Sequence, residues 1–120
     1  MDILFIADPL SRFKIYKDTT YAMMAEAARR GHAIFACEPK HLAWTGGNVE
    51  ATVHRVTIVG DTADLHRNVW HENGPNEHRS LMSFGAVLMR KDPPFDMEYV
   101  TSTWLLELAE RRGARLQQAA

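Results

Sequence analysis

The chain has 120 residues, a formal net charge of -1 and 46% hydrophobic residues, which together predict one compact domain with a sizeable core. Its 14 basic and 15 acidic residues argue against a general nucleic-acid binder, because such proteins usually carry a basic excess. The single cysteine, Cys37, excludes an internal disulfide and a cysteine-rich zinc site, and it indicates a reducing, cytoplasmic setting. No signal peptide is recognisable and no apolar run approaches the ~20 residues of a membrane span, so we expect no membrane partner.

Three short apolar runs predict buried strands of a small, mostly parallel sheet. They cover residues 3–7, 33–37 and 84–89, and their length and composition are typical of strands covered on both faces. An amphipathic helix is predicted near residues 19–30, between the first two runs, and a second near residues 97–112, after the third. Each helix ends at a glycine that follows two arginines, which is a typical C-terminal stop. The alternation of strands and helices predicts an α/β fold.

An antiparallel hairpin is predicted between the second and third apolar runs. Residues 41–45 and 49–59 flank a Gly-Gly-Asn turn, and the apolar positions change parity between Val53 and Val56, which indicates a β-bulge. Residues 60–80 are polar and interrupted by Gly and Pro, so we expect them to be a surface excursion and the least structured part of the chain.

Two polar loops leave the carboxyl ends of the predicted parallel strands, where ligands bind in sheets of this class. The first covers residues 8–17, and the second covers residues 90–96, with the sequence RKDPPFD. In the second loop, Arg90 offers a planar fork suited to a carboxylate or phosphate, and Lys91 adds a point charge. The alternative is a charged strand end followed by an ordinary proline turn, and the residues alone slightly favour it.

No motif for catalysis or metal binding is recognisable. The Gly46-Gly47 pair is interpreted as a turn rather than a phosphate-binding loop, and no cluster of carboxylates suits Mg²⁺. His71 and His78 lack the spacing of metal ligands, so we interpret them as polar surface residues. Cys37 ends an apolar strand and is interpreted as a small buried residue rather than a nucleophile.

Two segments resemble the N-terminal domain of bacterial glutathione synthetase. The block MRKDPPFD at residues 89–96, followed by a helix that ends in ERRG, is quite specific for that family. Residues 7–10 (ADPL) and 15–23 (IYKDTTYAM) are similar to the family's first strand end, loop and first helix. The resemblance covers essentially the whole chain and is weakest between residues 60 and 80.

The resemblance implies the Rossmann-like, pre-ATP-grasp domain of a ligase that joins γ-glutamylcysteine to glycine, using ATP and Mg²⁺, through an acyl phosphate. Residues 1–120 would be this N-terminal domain, and the ATP-grasp domain would lie outside the chain. Arg90 would bind a substrate carboxylate. Lys91 and Asp92 would shape the same loop, and Asp8 with the loop to Lys17 would line the same cleft. No residue of this chain is expected to be catalytic.

The family's nucleotide and metal ligands have no counterpart in these 120 residues, so we expect the chain alone to be inactive, with no ATP or Mg²⁺ bound. Two other interpretations stay open: a non-catalytic interaction or regulatory module of the same fold, and the front domain of another ATP-grasp ligase. The RKDPP block favours glutathione synthetase over other ligases of that superfamily. The sequence leaves open whether the protein is a homo-oligomer.

Overall fold

The computed structural model describes residues 1–91 and 96–118, and it places a seven-stranded mixed sheet between two helices. The strands are β1 (Asp2–Ile6), β2 (Ala33–Cys37), β3 (Leu42–Thr45), β4 (Asn48–Ile58), β5 (His71–Ser80), β6 (Ala86–Met89) and β7 (Leu116–Gln118). The helices are α1 (Thr19–Arg29) and α2 (Met97–Arg111), and short 3-10 turns lie at Leu10–Arg12, Pro39–His41 and Leu81–Ser83. No helix in these described ranges has the length and apolarity needed to cross a membrane.

The sheet has a parallel part and an antiparallel part. Strand β1 is central and pairs in parallel with β2 on one side and β6 on the other, so that Ile3 faces both Ile34 and Ala86. Strand β7 extends the parallel part beyond β6. Strand β4 pairs antiparallel with β2, β3 and β5. Because β5 runs along most of one edge of β4, strands β2 and β3 share its other edge.

Two apolar cores lie on opposite faces of this sheet. The core on the α2 side contains Leu106 of α2, and the core on the α1 side contains Met24 of α1. Alternation along β1 sends Leu4 and Ile6 into the α2-side core and Phe5 into the α1-side core. A strand covered on both faces needs apolar residues at every position, and this explains the unbroken apolar runs in the sequence.

A β-bulge lies beside the parity change in β4, but in the pairing of β4 with β5 and not in the predicted hairpin, and the parity change has a different cause. Val53 packs in the α2-side core and Val56 in the α1-side core, because these residues point to opposite faces of the strand. The register between β4 and β5 shifts here: His54 faces Asn76, whereas Val56 faces Asn73. Strand β5 therefore carries the extra residue of the bulge. The parity change marks the point where β4 passes from one core to the other.

The expectation of little structure in residues 60–80 is wrong for the second half of that segment. His71–Ser80 form a ten-residue strand, β5, with mostly exposed side chains at the edge of the sheet. A strand with both faces in solvent needs no alternating apolar pattern, so its polar sequence gives no strand signal. Pro75 lies inside this strand and is tolerated because an edge strand leaves some of its N–H groups unpaired. Residues 60–70 remain a connection outside the helices and strands.

The other predicted elements are confirmed, namely the α/β class, the three apolar strands, the hairpin and both helices. Asp18 caps α1, since its Oδ1 atom accepts a hydrogen bond from the backbone N–H of Tyr21 at 3.0 Å. The antiparallel part is larger than the predicted hairpin because β5 joins it. Strand β7 was not predicted, and its three residues are too few to show a periodic pattern.

Candidate functional site

The carboxyl ends of β1 and β6 lie side by side and bring the two polar loops together. Asp8 follows shortly after Ile6, the last residue of β1, while Arg90 and Lys91 come directly after Met89, the last residue of β6. The backbone N–H of Arg90 donates to the carbonyl oxygen of Ile6 at 2.7 Å, which adds a further bond between the two strands. The sheet therefore fixes the first residues of both loops.

An ion pair joins the two loops. The Nζ atom of Lys91 lies 2.9 Å from Oδ1 of Asp8, and the two side chains are only 18% and 19% exposed. Solvent and salt screen such a pair less than a pair on the open surface, so it holds the loops together more firmly. The sequence predicted that both residues line one cleft, and the structure brings them into direct contact.

The pleat of β6 separates Arg90 from this ion pair. Leu88 points into the α1-side core and Met89 into the α2-side core, so continued alternation turns Arg90 toward α1 and Lys91 toward α2. The Nε atom of Arg90 donates to Oγ1 of Thr20 at 3.2 Å. In the part of the chain that the structure describes, the terminal nitrogens of Arg90 make no hydrogen bond.

The remaining predicted site residues are not part of this cluster. Lys17 is exposed, and its Nζ atom lies 5.9 Å from the centre of the Tyr16 ring. Within the described ranges, Lys17 forms no ion pair, so it does not join the pair of Asp8 and Lys91. Asp92 lies outside the described residues.

A small cavity of about 40 Å³ adjoins Asp8 at the carboxyl end of β2 and is lined by Asp8, Pro9, Leu10, Ala36, Cys37, Glu38, His41 and His54. The Nε2 atom of His54 is buried, and no described residue forms a hydrogen bond with it. Burial, followed by the nearby His71 and His41, lowers the pKa of His54 and keeps its imidazole neutral at physiological pH. The cavity has room for little more than a water molecule or a group of similar size.

The described residues offer no metal site. No three His, Cys, Asp or Glu side chains in residues 1–91 and 96–118 are placed to hold a metal ion. His71 contacts Asn73 at 2.9 Å and His78 contacts Glu50 at 2.7 Å, and both contacts are exposed. Mg²⁺ is usually held by carboxylates together with phosphate oxygens, and these residues do not provide such a set.

Thr20 is the residue at this site that the sequence patterns did not single out. It lies four residues before the buried Met24, and this spacing places both side chains on the inner face of α1. A hydroxyl group on a buried face needs a hydrogen-bond partner, and Arg90 is that partner. The four-residue spacing between Thr20 and Met24 is therefore the sequence pattern from which the buried position of Thr20 could have been predicted.

Comparison with known proteins gives a consistent result. The family described as "Prokaryotic glutathione synthetase, N-terminal domain" matches residues 1–118. The chain is 57% identical over 116 residues to the glutathione synthetase of Ralstonia nicotianae, a match that covers 97% of this chain and 34% of that protein. It is 49% identical over 114 residues to the glutathione synthetase of Nitrosomonas europaea, covering 95% of this chain and 35% of the relative. The same enzyme of Neisseria meningitidis is 45% identical over 116 residues, covering 97% and 36%. The chain thus spans about a third of the length of these curated relatives.

Proposed function

Because the chain belongs to the family of N-terminal domains of prokaryotic glutathione synthetases, we propose that it serves as the substrate-side domain of such a ligase. The reaction joins γ-glutamylcysteine to glycine at the expense of ATP. ATP and Mg²⁺ supply the activation of the substrate carboxylate, and we place both on an ATP-grasp domain outside residues 1–120, in keeping with relatives about three times as long as this chain. The matched family and its relatives support this assignment.

We assign γ-glutamylcysteine to the two loops at the carboxyl ends of β1 and β6. The observation that carries this assignment is the guanidinium of Arg90, whose terminal nitrogens make no hydrogen bond to the described residues. A guanidinium can hold a carboxylate through two parallel hydrogen bonds. The ion pair of Lys91 with Asp8, at 2.9 Å, holds the two loops together at the same strand end. In this proposal Lys17 and Asp92 border the bound substrate from the two loops.

The proposed partners are small molecules, and neither nucleic acid nor a membrane is among them. The near-neutral charge supports the first exclusion, because nucleic-acid binders usually carry a basic excess. We propose a cytoplasmic location, where the free thiol of Cys37 stays reduced.

Replacement of Arg90 tests the assigned site. In a full-length ligase that carries this chain as its N-terminal domain, we expect Arg90→Ala to lower kcat/KM for γ-glutamylcysteine about 10- to 100-fold. This range follows from the roughly 1.5–3 kcal/mol of a charge-assisted hydrogen bond, with ~1.4 kcal/mol per factor of ten. The KM for ATP should change little. Arg90→Lys should recover little activity, because an ammonium group lacks the planar fork.

Arg111→Ala is the matched control, since Arg111 lies at the far end of α2 and pairs only with the exposed Glu107 in the described chain. Steady-state kinetics and thermal melting are measured on the same preparations. If Arg90→Ala lowers Tm but leaves kcat/KM for γ-glutamylcysteine unchanged, Arg90 supports the fold and the assigned site is wrong.

A further inference from the structure

We propose that Thr20 is a positioning residue, which fixes the guanidinium of Arg90 through Nε so that the two terminal nitrogens receive the substrate carboxylate. The inference rests on the proposed function, because it concerns how Arg90 meets γ-glutamylcysteine.

The burial of Thr20 points to this role. Thr20 is 6% exposed, and the only other buried polar residue in the described chain is Ser102. The Ser102 hydroxyl donates to the carbonyl oxygen of Tyr99 at 2.6 Å and so serves its own helix. The Thr20 hydroxyl instead accepts a hydrogen bond from a loop residue 70 positions away in the chain. A buried hydroxyl with a long-range partner fixes one part of the fold against another.

Two hydrogen bonds hold Arg90, one at its backbone and one at its guanidinium. The backbone N–H is bonded to Ile6 of β1, and Nε is bonded to Thr20 of α1. A guanidinium is planar, so a bond at Nε restricts both the position and the tilt of the plane. The two terminal nitrogens then present parallel donors with the spacing of a carboxylate. A side chain ordered before binding loses less rotamer entropy when the substrate arrives.

Thr20 itself stands on a rigid part of the chain. The first turn of α1 is capped by Asp18, which accepts the N–H of Tyr21 at 3.0 Å. The Tyr21 hydroxyl in turn accepts a hydrogen bond from Arg67 at 2.7 Å. The first turn of α1 is therefore tied to the residue 60–70 connection as well as to the core.

A neutral hydroxyl also leaves the charge of Arg90 intact. A carboxylate in place of Thr20 would neutralise the guanidinium and compete with the substrate for it. The nearby acid Asp8 faces Lys91 instead, at 2.9 Å. Among the described residues, the strand ends thus hold an internal ion pair, Lys91 with Asp8, and beside it an oriented guanidinium that forms no ion pair.

Four variants in the full-length ligase test the inference. Thr20→Val keeps the shape of the side chain but removes the hydroxyl that accepts the hydrogen bond of Arg90. Thr20→Ala also removes this hydroxyl, without adding the second methyl group of valine. Thr20→Ser keeps the hydroxyl. Thr19→Val is the matched control, because the neighbouring Thr19 is exposed. We expect Thr20→Val and Thr20→Ala to raise the KM for γ-glutamylcysteine about 5- to 20-fold, with kcat and the KM for ATP within about twofold of the parent. Thr20→Ser and Thr19→Val should stay close to the parent enzyme.

A second readout needs no activity. In the 120-residue chain, nitrogen-15 NMR should show the Nε–H proton of Arg90 exchanging with water more slowly than that of the exposed Arg111. Thr20→Val should abolish that difference, and Thr20→Ser should keep it. Fast exchange of the Arg90 Nε–H in the parent chain would overturn the inference.

The kinetic outcomes separate the two levels of the proposal. If Arg90→Ala raises the KM for γ-glutamylcysteine and the Thr20 variants do not, Thr20 does not position Arg90, and the proposed function stands. If none of these variants raises it, the substrate binds elsewhere and both proposals fall. If the Thr20 variants lower Tm and kcat with an unchanged KM, Thr20 serves the fold alone and the inference is wrong.

Discussion

Burial determines the chemistry of the single cysteine. Cys37 lies in the α2-side core, and burial, together with the negative charge of Glu38, raises the pKa of its thiol to about 12. The thiolate is the reactive form of cysteine, so the folded protein holds Cys37 in its unreactive form at neutral pH. The sequence led to the same interpretation because Cys37 ends an unbroken apolar run.

The raised pKa also makes stability depend on pH. The folded chain keeps the thiol proton up to about pH 12, whereas the unfolded chain releases it near the ordinary value of 9.0. The stability linked to Cys37 is therefore complete below pH 9.0 and is lost as the pH rises through this window, by at most about 1.4 kcal/mol per pH unit. Urea unfolding at several alkaline pH values should show a steeper loss for the parent than for Cys37→Ala. Equal slopes would mean that the thiol ionises without unfolding.

The partners of Arg90 and Lys91 show which features of the candidate site can be predicted from the sequence and which cannot. The apolar runs mark where β1 and β6 stop, and they therefore place Asp8, Arg90 and Lys91 at neighbouring strand ends. Lys17 was predicted with them but lies apart from the ion pair. Those patterns did not determine which of the two bases, Arg90 or Lys91, pairs with Asp8. The pairing depends on which face of the sheet each side chain points to. These faces are known only once the two cores are assigned to the two helices. Extending the alternation of Leu88 and Met89 by two residues then separates Arg90 from Lys91.

Among the elements, α2 carries apolar residues on both its inner and outer faces. Leu106 is 0% exposed in the core, whereas Leu108, two residues further on, is 38% exposed and Trp104 is 60% exposed. The apolar spacing in the sequence is accordingly broad and does not reveal which side faces the sheet. Only the packing of the helix on β4 and its neighbours identifies the inner face.

A pair of leucine variants measures this difference. Leu106→Ala should lower the free energy of unfolding by about 2–5 kcal/mol, because it leaves a cavity in the core. Leu108→Ala should cost less than about 1 kcal/mol, since its side chain is partly in solvent already. Urea denaturation of the two variants gives both values. Similar losses would mean that α2 is rotated about its axis relative to the orientation described here.

Strand β5 shows why some elements cannot be predicted from their own residues. Its sequence, HENGPNEHRS, is polar throughout and contains both Gly and Pro. The strand exists because β4 offers a long edge with unpaired N–H and C=O groups, and the structure pairs them from Glu50 to Ile58. The signal therefore lies in the partner strand. The same holds for β7, whose three residues pair in parallel with β6.

At the scale of the whole molecule, the two cores share their strands. Strands β1, β2, β4 and β6 each place residues in both cores. A strand cannot leave one core without also leaving the other, so the two sides of the sheet should unfold as one cooperative unit.

Hydrogen exchange tests this cooperativity. Leu106→Ala removes packing only from the α2-side core. We expect it to lower the opening free energy of the slowest amides of α1 by the same amount as those of α2. The matched variant on the other face, Met24→Ala, should act in the same way on α2. Loss of protection confined to the mutated side would show that the cores unfold independently.

The central place of β1 has a consequence for synthesis on the ribosome. Of the strands described here, β1 is made before the others, yet it lies in the middle of the sheet, and its Ile3 cannot pair with Ala86 until β6 has been made. At about 5–20 residues per second, roughly 4–16 s pass before β6 is complete. During that time one edge of an almost wholly apolar strand has no partner, and such edges attract other chains. After β1 and β2 are made and until β6 is finished, the nascent chain therefore exposes an unpaired apolar strand edge that can pair with another chain.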